Sequence, residues 1–411
     1  MRRRRFIAGL GAGAATLAGA CEYWPEDGLE NPCLAAELPA ALADGELVRG
    51  AWDGLDPDAV WDAHAHLLGL GDSGSGAWVN PDMRSWWRPG QRLRFEFFMN
   101  AACVDDAEHV DETYLARLLA CANAFPAGSR LVLLAFDYAH DEGGSRLPDL
   151  SNMHVPNRYV REVAARHPGR LEWAASIHPY REDCVAALEQ AARDGARAVK
   201  WLPPAMGMDP ASPRCDPFYA ALARLDLPLI SHGGRELAVH GAARQDLGNP
   251  LRLRRALDHG VRVIVAHCAS MGDDVDLDVG PEGPRVSSFD LFARLMDEPR
   301  YESLLFGDIS AMPQLNRIGP ALDTVLERDD WHPRLLNGSD YPLPAVVPLF
   351  SVTALVERGY LGDSEAQVVR AIRPHNPLLF DFVLKRNLAR GGKRFSNAVF
   401  ETRRILERRA T

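Results

Sequence analysis

From Trp61 onward the chain repeats one rhythm: a short apolar run ends in a polar side chain, and an amphipathic stretch follows. The runs read VWDAHAH, LVLLAFDY, LEWAASIHP, ARAVKWLPP, LPLISHGG, VRVIVAHCAS, SLLFGDISA and RLLNGSDYP, and their nearly unbroken apolarity predicts strands buried on both faces. Between them lie stretches such as PNRYVREVAARHPG, EDCVAALEQAARDG, DPFYAALARLD and NPLRLRRALDHG, several opened by Asp or Asn and closed by Gly, as helix caps require. Strands alternating with helices predict a parallel sheet. Eight such units with no glycine fingerprint at their head predict an α/β fold of the (β/α)8 TIM-barrel type rather than an open doubly wound sheet. The barrel is placed at residues 55–345, after an N-terminal extension at 21–54, and 346–411 are expected to form additional C-terminal helices packed on it. In the tail, Phe395, Val399, Thr402 and Leu406 fall at helical spacing and predict one helix lying against the barrel.

In a barrel the carboxyl ends of all the strands converge on one mouth, so residues distant in sequence meet there. In chain order these ends carry His64 and His66, Asp137, His178, Lys200, His232, His267, Asp308 and Asp340. An apolar run has no structural need for a terminal histidine, so the recurrence predicts a ligand set for a divalent metal. Imidazoles with one carboxylate suit Zn2+, which brings the pKa of a bound water to about 7. Asp340 can serve as a ligand and take a proton from the attacking water. His267 either binds a second ion, polarises a carbonyl or orients the water. Asp308 is expected to support a ligand histidine.

This constellation, His64-x-His66 after the first strand, Lys200 after the fourth, His232 after the fifth, His267 after the sixth and Asp340 after the eighth, resembles the amidohydrolase superfamily, in its amidohydrolase-related (amidohydrolase 2) branch. The resemblance runs from about Trp61 to Pro342. It implies a metal-dependent hydrolase with His64, His66, Lys200, His232, His267 and Asp340 around one or two ions, and Asp340, His267 and Lys200 in catalysis. The same branch contains decarboxylases and hydratases, so cleavage of a C–N or C–O acyl bond of a small molecule is the leading expectation and those reactions are the alternative. A metal-binding lipoprotein without turnover is a third reading. Lysine occurs only at Lys200, Lys385 and Lys393, every other basic residue being arginine. A lysine at a buried strand end therefore points to an amine that can lose its proton and become a carbamylated bridge between two metals, the alternative being an ammonium that binds a substrate carboxylate or pairs with Asp340. Arg235, His178 and Trp201 are the candidate substrate contacts, with Met206 and Met208 nearby.

The run LLGLGDSGSG after His66 begins a long connection in which Gly71, Gly74 and Gly76 suggest a movable lid. Its aromatics, Trp78, Trp86, Trp87, Phe95, Phe97 and Phe98, either line a pocket or anchor the insertion. Asp274-x-Asp276-x-Asp278 lacks the glycine and glutamate positions of a calcium loop and reads as a solvated acidic segment.

The 411 residues are 47% hydrophobic, enough for a large core, and the net charge of −10 disfavours nucleic acid as a partner. The start, MRRRRFIAGLGAGAATLAGAC, reads as an export signal over residues 1–20 with a twin-arginine-like Arg3-Arg4-x-Phe6-Ile7. The expected location is the periplasm, either free after cleavage at Ala18-x-Ala20 or membrane-anchored through a lipidated Cys21. The remaining cysteines have no close spacing, which argues against a zinc knuckle or a disulfide framework and leaves open only a Cys33 to Cys21 disulfide or another stray one. A small-molecule substrate is the expected partner, and a homo-oligomer is left open.

Overall fold

The computed structural model describes residues 27–239 and 244–408; the expected signal and Cys21 lie outside the described residues. Eight parallel strands form the barrel: β1 Trp61–His66, β2 Arg130–Leu134, β3 Leu171–Ala174, β4 Val199–Trp201, β5 Leu229–His232, β6 Val263–Ala266, β7 Leu305–Asp308 and β8 Leu335–Leu336. Strands β1 to β3 pair in sequence, and β4 to β8 form a run of five. Two parallel bridges join the runs into a ring, Ala175 with Val199 and Ala65 with Tyr341 just beyond β8. The second seam is secured by Ala63 N–H donating to Asn337 O and His66 N–H to Tyr341 O.

Alternation along each strand separates two cores. Leu131, Leu133, Val263 and Val265 face outward into the layer packed by helices such as Asn157–Arg166, Asp216–Leu225 and Ser288–Met296. Val132, Leu134, Ile230, Ile264 and Leu336 fill the barrel itself. Strand β1 breaks this alternation. Its register with β2 runs Asp62 to Leu131 and then Ala65 to Leu133, so β1 carries one extra residue opposite Val132. This bulge lets Ala63 join the inner core while Ala65 joins the outer one. The simple two-residue period expected for WDAHAH would have put both alanines on one side.

The glycine-serine run after His66 departs from the expected hinge. It wraps around the buried carboxylate of Asp111, at the start of the helix Val110–Ala122. Asp111 accepts hydrogen bonds from the backbone N–H groups of Leu70, Gly71 and Ser73 and from the hydroxyls of Ser73 and Ser75. Gly71, at φ 83°, is required because a Cβ there would meet Ala77 O at 2.5 Å. The run is thus a built turn. Of the aromatics that follow, Trp86 and Trp87 are exposed, whereas Phe97 and Phe98 pack on Ala345 and Val346. The helix Pro89–Ala101 in this insertion is tied to the N-terminal extension by a Cys33–Cys103 disulfide, beside a 2.8 Å hydrogen bond from Asn31 N–H to Asn100 Oδ1. Cys103 is therefore the partner of Cys33. The acidic segment is less solvated than expected: Arg294 pairs with Asp276 and Asp278, and Ser288 Oγ donates to Asp274.

Helices Val352–Glu357, Asp363–Ile372 and Pro377–Asn387 follow the barrel as expected, but the tail is not one helix. It folds as two single turns, Asn397–Phe400 and Arg403–Leu406, and the second enters the amino-terminal end of the barrel. Ile405 and Leu406 pack there with Trp61 and Ala63. Thr402 donates to Trp61 O, and Arg262, just before β6, donates to Ile405 O. The tail is a plug rather than an outer layer. Because Leu406 is fully buried against the strand starts, Leu406→Ala should cost about 2–4 kcal/mol of stability. A fall in the thermal midpoint with an unchanged metal content checks this, and an unchanged midpoint would remove the plug from the core.

Candidate metal centre

Each residue of the expected ligand set except Lys200 sits at or just past a strand end, where the chain leaves the sheet and can turn a side chain into the mouth. His64 and His66 close β1, His232 closes β5, His267 follows β6, and Asp340 lies in the turn after β8. These turns are strained: His267, Cys268 and Ala269 are consecutively left-handed, with φ of 55°, 50° and 48°, and Asp340 has φ 58°. Non-glycine residues hold that conformation only where the surroundings impose it, here through hydrogen bonds such as Asp340 N–H to His64 O at 2.7 Å. Gly338 is required on the same turn, since a Cβ would lie 2.6 Å from the Cβ of His64.

The side chains converge on Asp340. Its Oδ1 is 3.0 Å from His66 Nε2 and 3.5 Å from His64 Nε2, and its Oδ2 is 3.8 Å from His267 Nε2. The His232 and His267 ring centroids are 5.5 Å apart, and His232 Nε2 is buried without a hydrogen-bond partner. An orphaned imidazole nitrogen inside a cluster of histidines and a carboxylate is what an ion would satisfy. The outer nitrogens are already used. His64 Nδ1 is 2.5 Å from Asp308 Oδ2, His232 Nδ1 is 3.3 Å from Glu236 Oε2, and His267 Nδ1 donates to Ser310 O at 3.0 Å. With Nδ1 carrying the proton, each ring presents the Nε2 lone pair inward.

Asp308 could be taken for a ligand, since it groups with His64 and His267. Its Oδ2 is instead committed to His64 Nδ1 and its Oδ1 accepts Ser310 N–H, so it orients the imidazole from behind. Protonation agrees with metal binding. Burial pushes His232 down to about 4 and lowers His64 and His267, so these rings are neutral at neutral pH. Burial alone would raise Asp340, but attraction to His267, His64 and His66, felt when one of those rings carries an added proton, outweighs it, and the carboxyl ionises well below the usual range. The centre therefore offers neutral nitrogens and one ionised carboxylate, the donor set a divalent cation requires.

Lys200, facing the barrel interior from β4, has its Nζ 3.2 Å from His64 Nε2, and burial lowers its pKa to about 8. It lies against the ligand cluster with a proton that it loses readily.

The expected substrate contacts fare differently. His178 is fully buried with both ring nitrogens consumed: Nε2 donates to Met206 O at 3.0 Å, and Nδ1 accepts Tyr180 N–H at 3.2 Å. It holds two loops together and offers nothing to a ligand. Trp201 faces outward, its Nε1–H bonded to Ile177 O and its ring against Phe218 and Tyr219. It is a packing residue, because its neighbour Lys200 takes the inward face. Arg235 is exposed on the loop after β5. Asp137 pairs with Arg181 and accepts His178 N–H, a structural role within the β2 and β3 loops. Sequence reasoning missed Glu236 and Ser310. The first could have been found as a carboxylate four residues after a ligand histidine, whereas the second carries no local signal.

A family model described as amidohydrolase matches residues 61–378. No curated protein matches the sequence. Among solved structures, an uncharacterized TIM-barrel protein from Bordetella bronchiseptica is 17% identical, with 79% of this chain and 99% of that one covered and a TM-score of 0.46. A probable 2-pyrone-4,6-dicarboxylic acid hydrolase from Acinetobacter baumannii is 14% identical, with 75% and 95% covered and a TM-score of 0.43. A 2,6-dihydroxybenzoate decarboxylase from Rhizobium is 14% identical, with 72% and 97% covered and a TM-score of 0.39. These likenesses are distant, but the family match spans every barrel strand and each residue gathered around Asp340, and the chain belongs to the amidohydrolase family of metal-dependent enzymes.

Proposed function

We propose that the protein is a hydrolase that uses one divalent cation, Zn2+ by the chemistry of its donors, to cleave a C–N or C–O acyl bond of a small molecule. The observation that carries this reading is Asp340, a buried ionised carboxylate approached by the Nε2 atoms of three histidines. A cation held by His64, His66, His232 and Asp340 supplies a water of lowered pKa and a Lewis acid for the carbonyl. Asp340 Oδ2, on the side facing His267, accepts the proton of the attacking water and returns it to the leaving group. His267, kept neutral by burial and fixed by Ser310 O, donates no charge but can orient the water by accepting one of its O–H groups at Nε2. Lys200 stands at the edge of the site, its Nζ 3.2 Å from His64 Nε2, and a single ion needs no carbamylated bridge from it.

Export to an oxidising compartment is part of the same proposal. It is supported by the Cys33–Cys103 disulfide and by the basic, twin-arginine-like start, with a free or lipid-anchored product as the two outcomes of processing at Cys21. Thiol labelling of denatured, unreduced protein should spare Cys33 and Cys103, and Arg3→Lys with Arg4→Lys should hold precursor in the cytoplasm. Full labelling of both cysteines, or normal delivery of the variant, contradicts export by this route.

The reaction class is tested by turnover in oxygen-labelled water once a substrate is found. Label in the acid product is expected, with Asp340→Asn slower by about 100- to 10,000-fold. Release of CO2 without label uptake would replace hydrolysis by decarboxylation.

Elemental analysis tests the centre. His64→Ala and His232→Ala should lose the ion, and Asp308→Asn should weaken its binding by about 10- to 100-fold. One ion per chain is expected; two per chain at full activity would restore the Lys200 bridge.

A further inference from the structure

Among the described residues, Arg262, Arg317 and Arg373 are the buried arginines. Two of them have an acidic partner, although Nη1 of Arg373 makes no hydrogen bond. Arg262 meets Asp226 and two backbone carbonyls, and Arg373 donates to Pro344 O, Val346 O and Val347 O and lies 3.7 Å from Asp27. Arg317, in the loop after β7, is 8% exposed and makes one hydrogen bond of its guanidinium, to Ser270 Oγ at 3.0 Å. Its Nε is buried with no acceptor, and it forms no ion pair among the described residues. One turn earlier, Gln314, whose carbonyl accepts Arg317 N–H, leaves its Nε2 buried without an acceptor as well.

This orphaned cation belongs to the mouth of the barrel. Ser270, which it touches, lies three residues beyond His267. Its field reaches His232 and His267, and the carboxylates that act on it are Glu236, Asp340 and Asp308, all members of the metal centre or its supports. A charge held out of water without a partner is retained when a ligand supplies the partner. The free Nε edge of a guanidinium presents parallel N–H donors that match the two oxygens of a carboxylate.

We propose that Arg317, with Gln314, binds a carboxylate of the substrate, so that the substrate class is a small carboxylic acid whose scissile bond is held beside Asp340. Only the phrase about the scissile bond rests on the hydrolase reading; the anion site does not. Arg317 thereby takes the role that the sequence suggested for Arg235.

The test uses metal-loaded protein and binding rather than turnover, so a failure of the hydrolytic reading leaves it readable. Acetate, benzoate and glutarate are titrated against acetamide, benzamide and inorganic phosphate, with calorimetry and thermal midpoint as readouts. At least one carboxylate should bind and its uncharged counterpart should not. Arg317→Gln should weaken that binding at least tenfold, Arg317→Lys should weaken it less, and both should keep their metal. Ligand-free Arg317→Met should melt at or above the wild-type temperature, because it removes a buried charge that has no direct ion pair; a structural arginine would give a lower midpoint. Absence of carboxylate binding to the wild type overturns the proposal. So do equal affinity in Arg317→Gln, as for a carboxylate on the metal alone, a preference for phosphate over every carboxylate, and a lowered midpoint in Arg317→Met.

Discussion

The hydrogen bond between His64 Nδ1 and Asp308 Oδ2 decides which nitrogen of His64 meets the cavity, and the rest of the centre is arranged by the same device. A neutral imidazole has one donor and one acceptor, so fixing the donor on the outer side leaves a lone pair inward. Glu236 does this for His232 and Ser310 O for His267. The partners come from different places, one from the end of β7, one from a residue four positions along the loop after β5, and one from backbone beyond β7. The orientation of His64 and His267 thus depends on separate strands coming together, whereas His232 and Glu236 belong to one strand and the loop that leaves it.

A second buried network supports this from the seam between β1 and β8. Asp62 Oδ1 accepts the N–H groups of His64 and Ser339, and Lys385 Nζ donates to Gly338 O at 2.6 Å and to Asp381 Oδ2 at 2.7 Å. Burial raises Asp62 to about 6 and Asp381 to about 7, a cost that apolar side chains would avoid. What the network secures is position. It grips both sides of the turn that carries Asp340 and ties it to the helix Pro377–Asn387, which is why helices beyond the barrel matter to the site.

The strand order and the residues that converge on Asp340 were legible because both are written locally: apolar runs of strand length, each ended by a residue that the run itself does not need. Lys200 and Trp201 show how the same rule could have been carried further. With Lys200 facing inward, the two-residue period already places Trp201 outside, against Phe218. Other features depend on partners far along the chain. The Gly-Ser run looks mobile until Asp111 is seen to collect five of its donors, and Cys33 meets Cys103 across 70 residues. His178 ends an apolar run as a ligand would, but the backbone of its own loop and of Met206 consumes both nitrogens. The extra residue in β1 is equally silent, because WDAHAH reads as regular alternation whether or not a bulge lies within it.

The plug at the base of the barrel has a consequence for the order in which the chain can assemble. Thr402 bonds to Trp61 O across 341 residues, and Ile405 and Leu406 fill the space between the strand starts. Until these residues arrive, Trp61, Ala63 and Val132 lack the packing that Ile405 and Leu406 supply. Contacts of such separation carry a large loop-closure cost and form slowly. The inner core, and with it the floor beneath the histidines, is therefore completed only when residues 402–406 return to the first strand, the contact of longest sequence separation on which it depends.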